Sequence, residues 1–122
     1  MSQASIPARS ASTPFDELYE VLADAGCLVV EGLASIETMG AVRAELAKDM
    51  AAVSADEDDP AAFYPGLTRR VTGLMHRSAT ARELLMNPVV EALCDRHLLP
   101  NSTKWQLNVS AELDIGPGAR DQ

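Results

Sequence analysis

Trp105-Gln106-Leu107-Asn108-Val109-Ser110-Ala111-Glu112-Leu113-Asp114-Ile115 alternates without a break, apolar at every odd position and polar at every even one apart from the small Ala111. Successive side chains of a strand point to opposite faces, so this stretch predicts a strand with its apolar row on a core and its polar row toward water or a cavity. Gly116-Pro117-Gly118 ends it with a turn signal. A strand of that length needs neighbours, and the only other convincing strand is Cys27 to Glu31. Two strands rarely make a sheet that stands alone. The expectation is that the sequence is the front part of a larger domain.

Outward from that strand, helical signals dominate. Thr13-Pro14 reads as an N-cap followed by proline at the first helical position, with Phe15, Leu18, Val21 and Leu22 at helical spacing and Gly26 as the stop. Cys27-Leu28-Val29-Val30 is a short apolar run between Gly26 and Gly32, the pattern of a strand buried on both faces. Ser35 is placed to cap a helix whose stripe is Ile36, Met39, Val42, Leu46, Met50 and Val53, expected to pack on a sheet. Residues 54–73 read as a long irregular connection. Thr80 to Met86 reads as a short helix, and Asn87-Pro88 opens another with Val89, Val90, Leu93, Cys94, His97 and Leu98 on one face. Residues 1–12 are small and polar, the composition of a loose tail, so the domain is expected over 13–122.

Composition narrows the function classes. The formal net charge is −8, the opposite of the basic footprint that binds phosphate backbones, which argues against nucleic acid as a partner. There is no apolar leader and no segment long enough to cross a bilayer, so a soluble cytoplasmic protein without a membrane partner is expected. The apolar fraction of 47% is ordinary, but aromatics supply only 4% of residues, so a thin core is expected. Cys27 and Cys94 belong to no paired motif and read as buried, reduced thiols.

Candidate chemistry is sparse. Asp56-Glu57-Asp58-Asp59 has the charge of a calcium loop but lacks its glycine and bidentate glutamate, and reads as a solvated loop. His97 lies near a helix C-terminus, where its role is read as structural, and Asp95 points away from it two residues earlier. His76, with Arg69, Arg70 and Arg77 close by in sequence, reads as a basic turn that balances the acidic excess rather than as an anion site. Ser78 and Thr80 read as helix caps, since no motif sets a base beside them. A metal protein built on His76 and His97 is the least favoured reading. The polar row Gln106, Asn108 and Ser110 is the one candidate for a ligand-facing surface.

Three stretches in order carry a family resemblance. The first runs from Phe15 through Asp24-Ala25-Gly26-Cys27-Leu28-Val29-Val30-Glu31-Gly32-Leu33 into the Ser35 helix with Val42-Arg43-Ala44-Glu45-Leu46; the second is Gly73-Leu74-Met75-His76-Arg77-Ser78 with Arg82-Glu83-Leu84 and Asn87-Pro88-Val89-Val90-Glu91-Ala92-Leu93. The third is Trp105 to Ile115 closing on Gly116-Pro117-Gly118. The order resembles the phytanoyl-CoA dioxygenase family of Fe(II)- and 2-oxoglutarate-dependent oxygenases.

The resemblance implies an α+β fold: N-terminal helices packed on the first strands of a truncated double-stranded β-helix, or jelly roll. For a full-length domain it implies Fe(II) held by two histidines and a carboxylate, 2-oxoglutarate as cosubstrate, and a small-molecule substrate. It also implies that Gln106 and Asn108 contact cosubstrate or substrate. In the family the first ligands come from a His-x-Asp motif after the strand and turn. Here His76 is followed by Arg77-Ser78 and His97 by Leu98-Leu99, so neither matches. No catalytic or metal-binding residue is assigned, no cofactor is expected for this chain alone, and the chain by itself is expected to be catalytically silent. The alternative is a small non-enzymatic α/β interaction module that pairs, with another chain or with itself, through its C-terminal strand.

Overall fold

A computed structural model describes residues 5–53 and 68–119, which form a mixture of helices and short strands. The acidic run 56–59, and with it the calcium-loop question, lies outside the described residues. The chain divides into two units, one from residues up to Thr38 with Leu84–Gln106, the other from Met39–Glu83 with Leu107–Gln122.

In the first unit, β1 (Ala8–Ser10) pairs in parallel with β2 (Val29–Glu31), Ala8 opposite Val29 and Ser10 opposite Glu31. The expected loose tail therefore contributes a strand: Val29 N–H donates to Pro7 O at 2.9 Å and Ala11 N–H to Glu31 O at 2.8 Å. Polar composition did not prevent ordering, because backbone groups supply these bonds whatever the side chains are. The strand expected from Cys27 is shorter than its apolar run and is not buried on both faces; Val29 is 47% exposed, since its sole strand partner among the described residues is β1.

Between the two strands lies α1 (Phe15–Ala25), which buries Leu18. Pro14, not Thr13, occupies the cap position, and no side chain caps this end. Asp16 and Glu17 in the first turn face the positive end of the helix dipole instead. Gly26 ends the helix at φ 72°, a left-handed conformation that a residue without Cβ adopts freely, and donates to Leu22 O.

The other helix of this unit is α5 (Pro88–Leu98), which starts as expected: the Asn87 side chain accepts from Val89 N–H at 2.9 Å and proline sits in its first turn. None of its residues is fully buried, so the apolar face anticipated from Val89 to Leu98 is only half covered. Polar and aromatic contacts link it to α1. The Arg96 guanidinium bonds the Asp16 carboxylate and lies 4.3 Å from the Tyr19 ring centre and 5.6 Å from that of Phe15. His97 meets Tyr19 edge-on at 6.3 Å, and Trp105 Nε1 donates to Asp95 Oδ1 at 2.7 Å. Cation–π geometry of this kind compensates in part for a thin core.

In the second unit, α2 (Ile36–Ala52), capped by Ser35 Oγ accepting from Thr38 N–H at 3.0 Å, supplies the core. Val42 and Leu46 are buried against Val71 and Ala81, with Met50, Val53 and Leu74 packed around them. The stripe is not buried throughout: Ile36 is 88% exposed. Val71 belongs to β3 (Thr68–Thr72), a strand inside what reads from sequence as irregular connection. It pairs antiparallel with β4 (Ala111–Ile115), Thr68 opposite Ile115, Val71 opposite Glu112 and Thr72 opposite Ala111. Gly73, at φ 73°, leads into α3 (Leu74–Arg77), and α4 (Ala79–Leu85) follows directly.

The expected strand over 105–115 is thus realised only over its last five residues. Ladders need two partners, and β3 reaches no further than Ala111. Its polarity is also reversed. Directly opposed residues share a face, so the buried Val71 puts Glu112 on the face turned to α2, while Leu107, Val109, Leu113 and Ile115 are all exposed.

Candidate functional site

The residues with the most developed polar environment lie in the second unit, where α2 meets the ends of the β3–β4 ribbon and of α3. Glu45, the residue before the buried Leu46, turns its carboxylate to the start of α4. Ser78 Oγ donates to Glu45 Oε2 at 2.5 Å, Thr80 Oγ1 to Oε1 at 2.6 Å and Thr80 N–H to Oε2 at 3.2 Å. Ser78 Oγ also accepts from Ala81 N–H at 2.9 Å, the capping role read from sequence. A hydroxyl that already donates to a carboxylate and accepts from a backbone amide is a structural group, not a nucleophile.

Those bonds, that of Ser78 first and then those of Thr80, hold the Glu45 carboxyl below the usual carboxylate range. A lowered folded-state pKa contributes stability above the unfolded-state value and loses it as pH falls through the folded-state value. Urea midpoints of the wild type and Glu45→Gln should therefore differ most near neutrality, wild type higher, and converge on acidification below the carboxylate range. A difference that stays constant with pH would show that the charge is not what Ser78 and Thr80 recognise.

The basic residues near His76 do not assemble as an anion site, the reading the sequence disfavoured. Arg77 Nη1 pairs with Asp49 Oδ1 at 2.7 Å while its Nε donates to Thr72 O at 2.9 Å. Arg82 folds onto the Met75 carbonyl, and Arg70 is engaged as well. His76 itself is exposed. It borders a shallow hollow of about 220 Å³ with Gly73, Met75 and Asn108. Asn108 is therefore beside His76, and Gln106 is exposed. Ser110, third in the same polar row, is committed to structure: its Oγ accepts from Leu74 N–H at 3.0 Å and its carbonyl from Gly73 N–H at 2.9 Å.

A second cavity, about 190 Å³, lies between α2 and the ribbon, with Arg43 on the helix and Arg69, Glu112 and Asp114 on the strands. Neither arginine has a hydrogen bond or ion pair among the described residues, and Glu112 Oε2 is cut off from solvent without a hydrogen-bond partner. None of Arg43, Glu45, Glu112 or Asp114 stands out in the sequence. Their only signal is an acidic residue at alternate strand positions, which reads from sequence as a wet outer face.

Among the described residues no three His, Cys, Asp or Glu side chains come together to hold a metal ion. The thiols are not both buried as expected: Cys27 is exposed, following the exposure of the short β2 segment, and Cys94 is half-buried on the partly covered α5. No described helix is long and apolar enough to cross a membrane. No protein-family model matches the sequence, and a comparison with curated proteins finds no significant match.

Proposed function

We propose that this chain is part of a phytanoyl-CoA dioxygenase-like oxygenase domain, in which the β3–β4 ribbon is the start of a larger jelly roll. One observation carries the reading. The ribbon has helix α2 on one face and leaves Leu113 and Ile115 of β4 exposed, with Leu107 and Val109 exposed in the segment just before it. Sheets bury their apolar face against another layer, so a helix-backed ribbon with a bare apolar row is half of a layered architecture. A jelly roll supplies that missing layer as a second sheet. The order of the three sequence stretches supports the same family.

Iron does not fit the residues present: neither histidine carries an x-Asp partner, and the described residues bring no ligand set together. We assign no step of the reaction to the chain's own residues. The apolar row would line the interior of the completed sheet, and the proposal rests on no role for Gln106 or Asn108. Intact mass spectrometry of the native protein in its source cells tests the reading. A mass far above 13.0 kDa is expected, together with succinate formation from 2-oxoglutarate by that longer form only. A native mass of 13.0 kDa would sink the proposal.

The interaction-module reading is favoured by one further detail, the unpaired edge of β4 among the described residues. Antiparallel self-pairing centred on Leu113 would set Glu112 of one copy against Asp114 of the other, and like charges directly opposed destabilise a ladder. A different chain with basic alternate positions is the partner this edge would take, as Arg69 opposite Asp114 already illustrates.

A further inference from the structure

We draw no further inference here: the strongest candidate, the exposed apolar surface that Leu113 and Ile115 give β4 beside an edge unpaired among the described residues, already carries the proposed function, and nothing in the structure shows what else covers it.

Discussion

Leu46→Ala should unfold most of the second unit. Leu46 is fully buried, in a cluster whose other buried members among the described residues are Val42, Val71 and Ala81. Truncating a buried leucine removes its transfer free energy and leaves a cavity, for a loss of about 2–5 kcal/mol. Small domains hold only about 5–15 kcal/mol in total, and a core this thin places the unit toward the low end. Ile36→Ala is the matched control. It belongs to the same apolar stripe, but its side chain is 88% exposed, and substitutions at such positions stay within about 0.5 kcal/mol. Urea unfolding followed through amide signals of Val42, Val71 and Ala81 would measure both. Comparable losses in the two variants would contradict the assigned core.

Leu113→Thr combined with Ile115→Thr should change the behaviour of the chain in the opposite sense. Both side chains are about half exposed on β4, so little folding energy rests on them, and threonine has the β-branched shape that strands favour. What they contribute is an open apolar row on a ribbon with an unpaired edge, the arrangement that recruits other strands. The expected result is a severalfold loss of anilinonaphthalene sulfonate fluorescence and of concentration-dependent light scattering, with the urea midpoint little moved. If dye binding and scattering persist undiminished, the row is not the adhesive surface, and the observation behind the proposed function loses its force. If instead the midpoint collapses, these residues are core.

Local chemistry that depended on neighbours in sequence was largely legible, the cap expected at Thr13 being the exception. Ser35 and Asn87 cap their helices, Gly26 closes α1 in a left-handed conformation, and Ser78 caps α4, each because a side chain or a missing Cβ acts within four residues. The helix stripe also identified Val42 and Leu46 correctly. It could not distinguish them from Ile36, because periodicity says which residues share a face and not how far along that face another element extends.

The strands show the other side of this division. Alternation from Trp105 to Ile115 is a property of the chain, but pairing is a property of two segments, and β3, with its consecutive arginines Arg69 and Arg70, carries no clean alternation to announce it. Likewise β1 sits in a polar segment that nothing local marks as a strand. The candidate cavity was illegible for the same reason: Arg43, Arg69 and Glu112 are distant in sequence, and each alone reads as a surface charge. By itself, then, the sequence determined helix ends, helix faces and the existence of one alternating segment, all interactions spanning a turn or less. Only the tertiary structure decided which face of that segment meets α2, because Val71 stands opposite Glu112, and a shift of one residue in register would have exchanged the two faces.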